Sequence, residues 1–278
     1  MKSSNISVKI IGGLVLGPIV LYMTACGDLL LLILASVAVT AGLVEFYGLL
    51  TRSGMRPMTG LGIGLGLLFL LAAYIKPEIS VAMILSLAII AAFCMQLVRE
   101  IRGRDRYSIS DLSVTIFGAV YIGALMSFVF NLKELHETYY LEHTKYALLV
   151  VLPLAGAWAS DAGALFAGKA VGRTKLAPSV SPNKTIEGAV GGLAGSVMFT
   201  MLICSVLDIS FIHAIFLGLI IGAFGQIGDL AESVFKRRVN VKDTGTMVIG
   251  AGGFMDRSDS ILFSIPLTFF YLKLFVVG

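Results

Sequence analysis

Charge is scarce in this sequence. Asp, Glu, Lys and Arg make up 14% of its 278 residues, against roughly 25% in soluble domains, and the mean hydropathy is +0.93. That shortage excludes a soluble globular protein. Polar stretches are scarce too: none exceeds about two dozen residues, too short to carry a core of its own, so no separate soluble domain is expected. Cysteine is limited to Cys26, Cys94 and Cys204, each alone at or inside an apolar run. They are read as packing residues, not as a disulfide framework or a thiolate metal site. No GxxxxGK[ST], HExxH or GxSxG occurs, so a P-loop nucleotidase is not expected. No internal repeat of the transporter kind is found either.

What the chain has instead is apolar runs of bilayer length, about 20 residues each. Nine spans are expected, at 9–26, 28–50, 58–75, 79–98, 109–131, 145–167, 186–207, 211–235 and 259–277. The fold class is therefore an all-α polytopic integral membrane protein, a single membrane domain over 1–278. The first run has a basic flank (Lys2, Lys9) and no small-residue cleavage site, and is read as a retained helix. With the N-terminus in the cytoplasm, 17 of the 21 basic residues fall on that side. The bias predicts N-in, C-out and places every charge-rich loop in the cytoplasm.

The little charge there is gathers in 229–260, DLAESVFKRRVNVKDTGTMVIGAGGFMDRSDS. On a helix, Asp229, Glu232, Ser233 and Lys236 share one face. Gly250, Gly252 and Gly253 then allow a tight, amide-exposing turn near Asp256. Carboxylates, cations and a glycine turn suit a metal–polyphosphate site. Ionisable residues inside a membrane are functional candidates by default, which singles out Glu45, Asp161, Glu187 and Asp229. Of these, Glu45 is read as an interfacial or packing residue. A second charged stretch, 168–187, contains Pro178 and Pro182 and is expected to be an irregular loop or re-entrant turn. It delivers Ser181, Lys184 and Thr185 to a helix start at Glu187, where free amides and the helix dipole favour an anion.

The two stretches resemble one family. Ser233, Lys236, Arg237, Lys242, Asp243, Gly252, Gly253, Asp256, Arg257 and Asp259 read SxxKRxxxxKDxG…GGxxDRxD, and SDAGALFAGKAVGRTKLAPSVSPNKTIEGAVGG supplies the companion block. Together they cover about 158–262 and look like the signature of the phosphatidate cytidylyltransferases, the CDP-diacylglycerol synthases. One departure stands out: the family commonly has Pro-Gly-His-Gly-Gly where this chain has Ile249, Gly250, Ala251, Gly252 and Gly253. A histidine in that turn therefore has no role here. Ser258 also replaces a usually apolar residue.

The resemblance implies transfer of CMP from CTP to phosphatidate, giving CDP-diacylglycerol and pyrophosphate. It also implies Mg2+, with a second monovalent or divalent cation left open, and a membrane-embedded homodimer without a nucleic-acid partner. The expected location is the cell (inner) membrane, with the site facing the cytoplasm. Residues 1–144 would be scaffold and dimer contact, and 145–278 the catalytic part. The metal ligands would be Asp229 and Asp256, with Asp161 and Asp259 as further candidates. Lys236, Arg237, Lys242 and Arg257 would hold the triphosphate within a catalytic set that includes Asp243. Ser181, Lys184, Thr185, Glu187, Ser233, Gly252 and Gly253 would line the substrates. Three alternatives stay open on the residues alone: a CTP-dependent lipid kinase, a cytidylyltransferase acting on an ether or isoprenoid lipid, and an ion-coupled transporter.

Overall fold

The computed structural model describes residues 28–75, 81–103, 109–138, 146–239 and 253–277, together with Pro18, Tyr22 and Met23. Helix α1 spans Asp28–Arg52, α2 Thr59–Ile75 and α3 Val81–Ile101. Helix α4 (Ile109–Gly118) runs through a π-helical segment, Ala119–Ala124, into α5 (Leu125–Thr138). Then come α6 (Tyr146–Val171), a hairpin of β1 (Lys175–Ala177) and β2 (Ser181–Thr185), α7 (Ile186–Val206), α8 (Phe211–Arg238) and α9 (Met255–Leu272). Among the described residues, seven helical stretches are long and apolar enough to cross a membrane, and Thr59–Ile75 is a shorter apolar helix. The protein is an all-α polytopic membrane protein. Of the nine expected spans, only 9–26 lies outside the described residues, apart from Pro18, Tyr22 and Met23.

Three boundaries differ from expectation, for one reason. Helices α6, α8 and α9 run into charged sequence, to Val171, to Arg238 and back to Met255, because a helix needs an apolar face only where it packs. Asp256 and Arg257 consequently sit in the first turn of α9 and not in the preceding loop, one turn ahead of Asp259. The stretch 168–187 is also more ordered than an irregular turn. Lys175 pairs with Thr185 and Ala177 with Ser181 in an antiparallel hairpin, where Pro182 is tolerated because a two-stranded sheet is all edge.

The hairpin is tied to α7 at its root. Thr185 caps that helix by accepting from Gly188 N–H at 3.1 Å, and the carboxylate of Glu187 accepts from Arg173 N–H and Thr174 N–H, each at 3.1 Å. Helices α6 and α7 pack backbone to backbone, as small residues permit between membrane helices. A Cβ on Gly163 would stand 2.5 Å from the carbonyl oxygen of Gly191. Helix α1 and the α1–α2 loop are fastened to α4. Tyr47 donates its buried hydroxyl to the Thr115 carbonyl at 2.6 Å, Met58 N–H donates to Thr115 Oγ1 at 2.8 Å, and Arg56 N–H donates to Asp111 Oδ1 at 2.7 Å. The apolar core joins α1 to α8 and α9 through residues such as Leu43, Phe46, Leu217, Ile221, Met255 and Leu262.

Candidate active site

Two glycines explain why charge collects where it does. Gly225 and Gly228 lie on the face of α8 that meets α9, and a Cβ on Gly228 would collide with the backbone carbonyl of Asp259. Close approach of the two helices sets Asp259 against the acidic face of α8. Carboxylate oxygens of Asp229, Glu232 and Asp259 all lie within 4.8 Å of one another. Glu232 is wholly buried and Asp259 is 6% exposed. Like charges that close in a medium of low dielectric repel strongly, so the cluster requires positive partners.

Two lysines approach it from different elements. Lys236, one turn beyond Glu232, places Nζ 3.2 Å from Glu232 Oε2 and 2.8 Å from Asp256 Oδ1. Asp256 is held from its other side by Gly253 N–H, which donates to Oδ2 at 2.7 Å. Lys184, carried in by β2, places Nζ 2.7 Å from Asp229 Oδ2. Glu232 Oε1 is left buried with no hydrogen-bond donor among the described residues. A buried oxygen without a partner, amid three convergent carboxylates, fits a hard cation such as magnesium.

The expected site residues do not all converge on this point. Asp229, Lys184, Lys236, Asp256 and Asp259 come together, with half-buried Ser233 on the same face of α8. Asp161 is exposed on α6 and is not one of the three clustered carboxylates. Arg237 is turned toward the hairpin, where its Nε donates to the Val180 carbonyl at 3.1 Å. Arg257 is half-buried, and its Nε has no hydrogen-bond partner among the described residues. Ser181 opens β2, while Thr185 and Glu187 are committed to the backbone as described above. Lys242, Asp243 and Gly252 lie outside the described residues.

Two participants escaped the sequence reading. Glu232 was placed on the acidic face yet left out of the metal set, although its i+3 spacing from Asp229 was the available signal. Glu45 was read as an interfacial or packing residue. Its buried carboxylate in fact accepts from Phe254 N–H at 2.9 Å and Met255 N–H at 2.8 Å, so α1 caps the free N-terminus of α9. This negative charge also suits the positive end of the helix dipole. Glu45 thereby anchors the turn from which Asp256 and Asp259 project.

Fold and site together define a polytopic membrane protein with a buried cluster of carboxylates, flanked by two lysines, where α8 packs on α9. The cytidylyltransferase family model matches residues 7–275. A phosphatidate cytidylyltransferase of Staphylococcus aureus is 35% identical over 244 residues, which cover 87% of this chain and 89% of that protein. One from Synechocystis sp. is 33% identical over 254 residues, 84% of this chain and 85% of the relative. One from Bacillus subtilis is 36% identical over 174 residues, and that match spans 62% of each chain. The chain belongs to the cytidylyltransferase family and is a nucleotidyltransferase.

Proposed function

We propose that this protein transfers the cytidylyl group of CTP to phosphatidate, forming CDP-diacylglycerol and pyrophosphate, at a magnesium-dependent site facing the cytoplasm. The observation that carries the reading is the acid cluster of α8 and α9 flanked by Lys184 and Lys236. Two polyanions must meet, and fixed cations lower their repulsion. A phosphate oxygen of phosphatidate attacks the α-phosphorus of CTP, and the bond from that phosphorus to the bridging oxygen of the β-phosphate breaks. No proton needs to be removed, because the attacking phosphate is already ionised at neutral pH.

Asp229, Glu232 and Asp259 would hold magnesium, with Asp256 beside them. When bound, the ion supplies positive charge against the phosphates. Lys236, fixed between Glu232 and Asp256, and Lys184, on the hairpin, meet phosphate oxygens from two sides and orient the triphosphate. Arg257 offers a further guanidinium, and Arg237 keeps the hairpin in place through Val180. The apolar faces around the site fit a lipid substrate that arrives within the bilayer. The distribution of basic residues supports the cytoplasmic orientation.

The test is to follow the label from CTP in detergent-solubilised protein given phosphatidate and magnesium. Label from the α-phosphate should appear on the lipid, and label from the γ-phosphate should appear in pyrophosphate. A γ-label on the lipid, with CDP released, would replace this reading with a lipid kinase.

A further inference from the structure

Tyr121 lies in the π-helical segment Ala119–Ala124, within the long span Ile109–Leu135. Single π turns inside α-helices re-aim the side chains around them and occur often at functional sites. Here the turn directs a tyrosine between the two acid-bearing helices. Its ring stacks on Phe117 at 5.6 Å and 14°, meets Phe263 edge-on at 6.1 Å and lies 6.2 Å from Phe235. Phe235 is three residues beyond Glu232 on α8, and Phe263 is four beyond Asp259 on α9. The ring thus packs against residues one turn from each acid, on both acid-bearing helices.

The hydroxyl is the anomaly. Tyr121 is 6% exposed, and its hydroxyl oxygen is buried with no hydrogen-bond partner among the described residues. A buried hydroxyl without a partner is costly, and the other buried tyrosine of this core avoids that cost by donating to the Thr115 carbonyl. If the position served packing alone, phenylalanine would do, as Phe46, Phe117, Phe235 and Phe263 do around it. Glu232 Oε1, on the adjacent turn of α8, is the matching acceptor without a donor.

We propose that Tyr121 is a positioning residue of the site: its phenol donates to a carboxylate oxygen of Glu232 or Asp259 when a divalent cation is bound there, and so orients that carboxylate toward the cation. The proposal rests on the reading of Asp229, Glu232 and Asp259 as a metal site. It assigns the hydroxyl a partner only in the loaded state, so removing it should leave the empty protein as stable as before while weakening the metal.

The experiment compares full-length wild type with Tyr121→Phe, using manganese alone as the probe, since carboxylate oxygens accept it much as they do magnesium. Thermal unfolding is measured without metal, and manganese affinity by electron paramagnetic resonance without nucleotide or lipid. The expected result is an unchanged or raised unfolding temperature in Tyr121→Phe, with a dissociation constant for manganese about tenfold higher, equivalent to about 1.4 kcal/mol. Equal manganese affinity in the two proteins overturns the proposal. So does a lowered unfolding temperature without metal, which would give the hydroxyl a partner in the empty fold, and so does a wild type that binds no manganese. Pyrophosphate release, assayed in parallel, separates the two readings. A wild type whose manganese affinity depends on the Tyr121 hydroxyl yet which releases no pyrophosphate from CTP and phosphatidate contradicts the proposed reaction and leaves this inference standing.

Discussion

Replacing Glu45 with glutamine tests whether a residue of the first described helix holds the catalytic end of the last one. The carboxylate accepts two backbone N–H groups, from Phe254 and Met255, at 2.9 and 2.8 Å. An amide has one acceptor oxygen, so in Glu45→Gln one of these N–H groups faces another donor. The loss is one hydrogen bond to a charged acceptor, about 1.5–3 kcal/mol, together with the interaction of the charge with the helix dipole, about 0.3–1 kcal/mol. A total of about 2–4 kcal/mol corresponds to roughly 30- to 900-fold in the equilibrium between a docked and an open first turn of α9. Amide hydrogen exchange reads that equilibrium directly. Protection over Phe254–Ser258 should fall by roughly this factor in Glu45→Gln, while protection of α6 and α7 stays unchanged. Pyrophosphate release should fall with it, since misplacement by about 1 Å costs on the order of a hundredfold in rate. Unchanged protection at Phe254 and Met255 would refute the anchoring role.

Other substitutions test the packing and charge arguments. Lys236→Met leaves wholly buried Glu232 and its neighbour Asp256 without their shared cation. Breaking a buried pair in this way costs about 3–5 kcal/mol, so the variant should unfold at a clearly lower temperature in detergent as well as lose activity. Gly228→Ala places a methyl against the carbonyl of Asp259, and separation of α8 from α9 should abolish pyrophosphate release even where the protein remains folded. Lys184→Ala should show the opposite balance. Its pair with Asp229 is partly exposed and worth less than about 1 kcal/mol of stability. The variant should therefore fold normally and show a raised KM for CTP.

The membrane class, helices at eight of the expected positions and the shared face of Asp229, Glu232, Ser233 and Lys236 were legible because they rest on composition and helical period alone. The start of α9 at Met255 was not, because the charged residues Asp256 and Arg257 place the expected start at 259 when hydropathy is averaged over a window. The hairpin of β1 and β2 was hidden by Pro178 and Pro182, prohibitive in a helix but harmless here, where Pro178 opens the turn and Pro182 lies in an edge strand. Glu45 was missed for a deeper reason. Its partners are backbone N–H groups 209 residues away, and backbone donors leave no mark in side-chain identity. Tyr121 was missed likewise, since nothing in its apolar run announces a π turn. The pairing of Asp259 with the acidic face of α8 was half legible: Gly225 and Gly228 allowed a close helix contact without specifying which helix would fill it.

The central claim is that the carboxylates gathered at α8 and α9 serve a magnesium-dependent transfer from CTP to phosphatidate. The most direct measurement is pyrophosphate release by purified protein with CTP, phosphatidate and magnesium, each omitted in turn, beside Asp256→Asn and Asp259→Asn. Release is expected only with all three components, with at least a hundredfold loss in both variants. Release that persists after magnesium is chelated, or full activity in both variants, would contradict it.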